Sequence, residues 1–273
     1  GDREFVARPR GDDPEQHVAL YGLPIDHPAD EMPLAVAYDA AGNRARRELP
    51  VVLRAPSVRT GEVNLSHSWL ENKLPALLPD VDTTDDDALV EGFLYVSRDL
   101  RAQAAAERDR LAAASTGPRQ WDGAFVQLPN SRSTSIFGIR RTYRIDGEGL
   151  DTQVHQGYDL ASTARAPIPA ANAGTVVFSA PLTLYGNTVV IDHGESLLTL
   201  YGHCSTLDAE VGDRVEKGQT IARTGATGLA GGDHLHFEVI VGGLPVTPLQ
   251  WFDAAWIRDH IEGPLEEAGA LGR

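Results

Sequence analysis

Between residues 174 and 240 the chain breaks into four short apolar runs rich in β-branched residues, at 174–178, 187–191, 196–201 and 234–240. Each run is flanked by Gly, Asp or Pro. Runs of this length and composition read as strands, in a pattern with no room for regular crossover helices, so the strands are expected to pair antiparallel. Asp192-His193-Gly194-Glu195 has the residues of a hairpin turn, and residues 210–219, with Gly212 and Gly218, read as a tightly turned link and not a helix. No period of 20 to 50 residues repeats, which excludes a solenoid.

The organisation changes near residue 120. Upstream of it, Pro50-Val51-Val52-Leu53 and Phe93-Leu94-Tyr95-Val96 read as short strands, and the acidic stretch 80–91 between them as loop. One long helix is expected from Arg98 to Ala114; it is full of strong helix formers but poor in large apolar side chains, which suits a solvated connector. Ser115-Thr116-Gly117-Pro118 ends it. The expected architecture is mainly β: a small β-rich accessory domain over 1–97, a helical connector over 98–120, an antiparallel β-sheet domain over 121–256 and a tail over 257–273.

With 39 acidic residues against 24 Lys and Arg, the formal charge is −15. A nucleic-acid backbone or an anionic membrane surface is repelled on average, and a neutral or locally cationic substrate is slightly favoured. Cys204 is the only cysteine, so no internal disulfide forms. No apolar run approaches the roughly 20 residues that span a bilayer. The chain opens Gly-Asp-Arg-Glu-Phe without a signal-peptide hydrophobic core, so for an exported protein the signal or anchor segment is expected outside this sequence.

Two strings carry the chemistry: His155-Gln156-Gly157-Tyr158-Asp159 and His234-Leu235-His236-Phe237-Glu238. On an extended backbone His234 and His236 share one face while Leu235 and Phe237 turn to the core. His155 and Asp159 are four residues apart around Gly157, a separation that a tight turn closes about one ion. His203 lies just past Gly202 at the end of a strand, where site residues sit on a rigid platform. Two imidazoles and a carboxylate leave a zinc ion one open position for an activated water. Two further histidines can handle protons near neutral pH. The expected ligands are His155, Asp159 and His236, with His203 and His234 as the catalytic pair.

Residues from about 123 to 252 resemble the lysostaphin-type, LytM-like zinc metallopeptidases of the M23 family. The resemblance rests on Ser135-Ile136-Phe137-Gly138-Ile139-Arg140-Arg141, on the His155 to Ala161 string, on Gly186-Asn187-Thr188-Val189-Val190-Ile191-Asp192-His193-Gly194, and on Leu200-Tyr201-Gly202-His203. It continues through Val211 to Gln219 and Thr224-Gly225-Ala226-Thr227-Gly228 to the His234-Leu235-His236 string. It implies an endopeptidase that cuts stem or cross-link peptides of bacterial peptidoglycan in the periplasm or outside the cell, with the same five residues in the same roles. Two departures stand out. Cys204 replaces the Leu that often follows the catalytic histidine, and Asp233 sits beside His234, where it would raise the imidazole's pKa if the side chains met.

Other residues read more plainly. His17, His27, His67, His193 and His260 lie outside the constellation, and Cys204 is expected to be a buried small hydrophobe. Asn187 stands between bracing the metal loop or contacting the substrate peptide and turning a hairpin, and Arg140 and Arg141 are candidate fold determinants in the Phe137-Gly138-Ile139-Arg140-Arg141 turn. Glycines 225, 228, 231 and 232 form no phosphate loop, lacking a Gly-Lys-Ser/Thr string. Residues 63–70 read as ordinary packing in preference to a peptide-like plug. The N-terminal third stands open between a spacer and a regulatory contact with the peptidase groove or a partner. The second functional reading is a non-catalytic scaffold or activator that binds a wall hydrolase or peptidoglycan; members of that class generally lose a ligand, and here all five positions are intact.

Overall fold

The computed structural model describes residues 4–10, 13–39, 41–49, 51–52 and 59–271. Its centre is an eight-stranded sheet in the order Arg214–Val215, Gly174–Pro181, Asn187–Asp192, Leu197–Cys204, Leu235–Val241, Tyr158–Ala161 and Arg132–Ser135, with Leu244–Val246 added beside Leu235–Val241. The pairings are antiparallel, and the turn at Asp192 to Glu195 joins two neighbouring strands as a hairpin. Positive φ at Gly194, Glu195 and Ser196 closes that turn. A three-stranded sheet of Pro167–Pro169, Thr220–Arg223 and Thr206–Leu207 stands apart from it.

The two central strands, Leu197–Cys204 and Leu235–Val241, are buried at every position, so both faces of the sheet must be covered. Val189, Ile191, Tyr201, Leu235, Phe237 and Val239 pack on one side with Trp121, Phe125 and Trp251. Ile257 and Ile261, from the helical C-terminal segment, close that layer. Val190, Leu198, Leu200 and Ile240 point to the other side, against Leu89, Phe93, Leu100 and Leu111. These last residues belong to α2 (Asp86–Tyr95), α3 (Arg101–Ala114) and the π-helical turn at Val96–Leu100 that joins them, and Leu70 of α1 (His67–Lys73) joins the same cluster.

The helical layer corrects three expectations. Residues 93–96 are not a strand. They lie in α2 and the π turn, because Asp85 caps α2 by accepting from the backbone N–H groups of Asp87 and Ala88. Asp86 and Asp87 in the first turn favour the helix dipole, so part of the acidic stretch read as loop is a helix start. Nor is the helix to Ala114 a solvated connector. Leu89, Phe93, Val96, Leu100, Ala104, Arg108 and Leu111, spaced by three and four, are all buried and form one continuous stripe.

Upstream of Leu65 the chain is built of small sheets. Arg8–Arg10 pairs with Asp13–Val18 and Leu34–Tyr38 with Arg44–Glu48. Val51 and Val52 belong to no strand, and Pro50 and Leu53 lie outside the described residues. Thr60–Leu65 pairs parallel with Arg140–Ile145, which in turn pairs with Glu148–Val154, so residues 63–65 are strand and not a plug. His67, at the start of α1, lies within 2.8 Å of Asp86 and 3.0 Å of Asp146. Among the described residues, no helix is long and apolar enough to cross a membrane.

Candidate metal centre and its surroundings

Strand alternation sends His236, Glu238 and Ile240 to the helix-covered face and Leu235, Phe237 and Val239 to the opposite core. Next to this strand runs Tyr158–Ala161, with His236 directly opposite Asp159. His155 comes from the turn before it. A Cβ at Gly157 would stand 2.8 Å from the His236 ring and closer still to the Phe237 carbonyl, so only glycine lets the turn approach this closely.

Three donor atoms meet there. His155 Nε2 lies 3.0 Å from Asp159 Oδ1 and 3.2 Å from His236 Nδ1, and His236 Nδ1 lies 2.9 Å from Asp159 Oδ1. Ligands 2.0–2.1 Å from a tetrahedral zinc ion stand about 3.3 Å apart, so the triangle needs to open by only a few tenths of an ångström. Each donor's other polar atom is already committed. His155 Nδ1 donates to the Ile136 carbonyl at 2.8 Å, His236 Nε2 donates to Glu238 Oε1 at 2.9 Å, and Asp159 Oδ2 accepts from Arg141 Nη2 at 2.7 Å. In the neutral rings these bonds fix the tautomers that leave His155 Nε2 and His236 Nδ1 with lone pairs facing one point. The donor set therefore suits a divalent ion such as zinc.

His203 reaches the same cavity by a different device. Tyr201 pairs with Val189 but Cys204 pairs with Asn187, so three residues of one strand advance opposite two of the other. This is a β-bulge, and within it His203 adopts a left-handed φ of 63°. The bulge breaks the alternation, so Tyr201 and Cys204 both pack in the core while His203 turns to the site. Cys204 is buried as expected, with its thiol pushed up to about 12 by burial. His203 Nδ1 donates to the Thr227 carbonyl at 2.9 Å, and His234 Nδ1 to the Gly232 carbonyl at 2.8 Å. Their ring centroids are 4.9 Å apart, and His234 Nε2 is 3.6 Å from Asp159 Oδ1.

All five predicted residues thus line one cavity of about 150 Å³. Burial, with the neighbouring His236 and His234, brings the His203 pKa down to about 3. Burial also lowers that of His155 against the pull of Asp159. Burial works against the Asp159 carboxylate, but hydrogen bonds from His155, His234 and His236 hold its pKa well below the usual range. For His236 burial opposes the charge, yet Asp159 and Glu238 raise its pKa to about 9 in the metal-free protein. Asp233 does not act on the site as its position in sequence invites: its carboxylate accepts from Thr224 Oγ1 at 2.6 Å and from the Arg165 N–H at 3.1 Å.

Sequence reasoning missed the layer beneath the triangle. Glu238 is fully buried and receives His236 Nε2, Tyr185 Oη at 2.7 Å and Arg108 Nη1 at 3.0 Å. Arg108, from α3, also donates to Tyr185 Oη and to Gln156 Oε1, each at 2.7 Å. Burial opposes ionisation of Glu238, but the Arg108 charge prevails and brings its pKa down to about 2. The signal was present as a single arginine set in the buried stripe of α3. Arg141, read from the sequence only as a candidate fold determinant, orients Asp159 and lines the cavity. Tyr201 and His193 are structural: Tyr201 Oη accepts from the Ala171 N–H at 2.7 Å, and His193 Nδ1 donates to the Ala173 carbonyl at 2.7 Å.

An antiparallel sheet that gathers two imidazoles and one carboxylate into a cleft defines a class of candidate metallohydrolase, and part of the chain is similar to known proteins of that class. Residues 153–248 match the family model described as Peptidase family M23, and this part of the chain is homologous to the M23 zinc-type peptidases. The chain is similar to the peptidoglycan DD-endopeptidases ShyC and ShyA of Vibrio cholerae. It is 35% identical to ShyC over 127 residues (46% of this chain, 29% of that protein) and 38% identical to ShyA over 119 residues (44% and 27%). It is also 36% identical to the DD-carboxypeptidase/endopeptidase Mpg of Neisseria meningitidis over 122 residues (45% and 27%). The matched stretch spans less than a third of the length of these relatives.

Proposed function

We propose that this protein is a zinc-dependent endopeptidase that hydrolyses peptide bonds in the stem or cross-link peptides of bacterial peptidoglycan, in the periplasm or outside the cell. The observation that carries this reading is the donor triangle of His155, Asp159 and His236, with every second polar atom already engaged. These residues hold the metal, and residues 121–256 form the peptidase unit. When bound, zinc supplies a Lewis acid that polarises the scissile carbonyl and makes a water nucleophilic near neutral pH.

The protein's own groups do the rest. His203 and His234 each spend Nδ1–H on a backbone carbonyl, so in the neutral ring Nε2 is the free acceptor. Both are therefore set to take the proton of the attacking water and, once charged, to return it to the leaving amine. Burial keeps the His203 imidazole neutral in the metal-free protein. α3 and the loop at Leu229 to Gly231 form the walls, and Lys73 of α1 ties the loop in place by donating to the Ala226 carbonyl at 3.0 Å. A regulatory role of the N-terminal region would act through this Lys73 contact and through α3. No feature of the site favours the scaffold reading.

The test is release of new amines from purified peptidoglycan, with mass analysis of the fragments, by the zinc-loaded protein and by His236→Ala. Cleavage by the first and none by the second is expected. Intact wall with zinc bound stoichiometrically would refute the peptidase.

A further inference from the structure

The cavity beside the donor triangle has the opposite charge character from the protein as a whole. The chain carries −15, yet among the described residues Asp159 is the only carboxylate lining the cavity, against the guanidiniums of Arg101 and Arg141. Asp159 is itself spent on the triangle and on Arg141. Arg101 differs from Arg141 in having no acid of its own. Its Nε donates to the Ser97 carbonyl at 3.0 Å, which fixes the plane of the head group, and among the described residues its two terminal nitrogens have no partner. The nearby Asp151 is already engaged by Ser97, Arg98 and Gln153. A half-buried guanidinium, held by one edge with its fork free, is a preformed receptor for a carboxylate, which it binds through two parallel hydrogen bonds.

We propose that Arg101 of α3 binds a free carboxylate of the substrate next to the bond being cut, an inference that rests on the zinc-peptidase reading above. Arg101 lines the same cavity as the donor triangle, so one pocket has to hold both the scissile amide and the carboxylate. The carboxylate therefore belongs to a residue at or adjacent to the scissile amide. That describes a cross-link whose amine-side residue, such as a diamino acid, keeps its own carboxyl group, and it disfavours a bridge of neutral glycines. The net charge pointed instead to a neutral or cationic substrate. It misleads because salt screens charges beyond about 8 Å, leaving the groups inside the cavity to decide.

The experiment uses two synthetic cross-link peptides that differ only in the amine-side carboxyl, free in one and a carboxamide in the other, with pentaglycine as a third substrate. The zinc-loaded wild-type protein is expected to prefer the free acid by about tenfold or more in kcat/KM, the worth of one charged hydrogen-bonded contact. In Arg101→Gln that preference collapses to near unity, and Arg101→Lys retains part of it. A second readout needs no turnover. By calorimetry on the metal-free protein, the amine-side cleavage fragment should bind more tightly as acid than as amide in the wild type and equally in Arg101→Gln. Equal cleavage of acid and amide by the wild type, or an undiminished preference in Arg101→Gln, overturns the carboxylate site and leaves the peptidase standing. Acid-selective binding without cleavage of any peptide or of wall overturns the peptidase and not the site.

Discussion

The strand Leu235–Val241 and the helix α3 meet at one buried ion pair, Glu238 with Arg108, but they carry information in opposite ways. The strand announces itself: alternation places His234, His236 and Glu238 on one face, and the histidines draw attention to it. The helix, rich in alanine and charge, looks like solvated linker. Yet α3 covers the face of the sheet on which the site is built, supplies Arg108 to balance Glu238, and presents Arg101 to the cavity. Chemistry-bearing residues can be recognised locally, whereas the residues that hold them become visible only when their partners are in place.

That contrast can be tested from both sides. The largest effect is expected on the sheet: His203→Ala should lower kcat by about 10²–10⁴ with zinc retained, as for a lost proton-transfer group. Metal analysis alongside rates checks this, and loss of zinc would make His203 a ligand. On the helix, Arg108→Met leaves Glu238 buried without its cation. The expected cost is about 3–5 kcal/mol of stability and a 10- to 100-fold fall in zinc affinity, read by denaturant melts and chelator competition. Adding Glu238→Gln to that variant should recover much of the stability, because the stranded charge is gone; no recovery would mean that Arg108 acts by packing alone.

A pH series separates the two regions further. His193 and His203 are held neutral by burial, with pKa values lowered to about 4 and about 3, so the unfolded chain binds protons that the native protein does not. Their contribution to stability is present above about 6.5 and falls as the pH drops toward those values. His236 behaves the other way. Its pKa of about 9 in the metal-free protein means that stabilisation is complete below about 6.5 and lost as the pH rises through 9. Thermal midpoints of the metal-free protein should therefore peak between these limbs. Zinc should flatten the alkaline limb, because the ion takes the proton's place at His236 Nδ1. The smallest effect belongs to Asp85→Ala, which removes the α2 cap and should cost about 1 kcal/mol; a loss several times larger would show that the helical layer folds as one unit with the sheet.

Much of the sheet was legible because strand signals are local. The hairpin at Asp192 to Glu195, the turned link with Gly212 and Gly218, and the burial of Cys204 all follow from residue type and alternation. The helical layer was misread because Phe93, Leu94, Tyr95 and Val96 favour strands one residue at a time. The stripe that makes them helical spans the π turn at Val96–Leu100 and runs on to Leu111, beyond the reach of a short window.

By itself the sequence determined which groups are available to the site and the faces on which His234, His236, Leu235 and Phe237 would stand, because alternation is a property of a single extended strand. Only the tertiary structure decided that a bulge aims His203 into the cavity, that Glu238 and Arg108 neutralise each other beneath His236, and that an acidic protein opens a cationic groove. Those outcomes depend on atoms far apart in the chain reaching hydrogen-bond distance, and in a buried, low-dielectric setting a charge takes its meaning from the partner that packing brings to it.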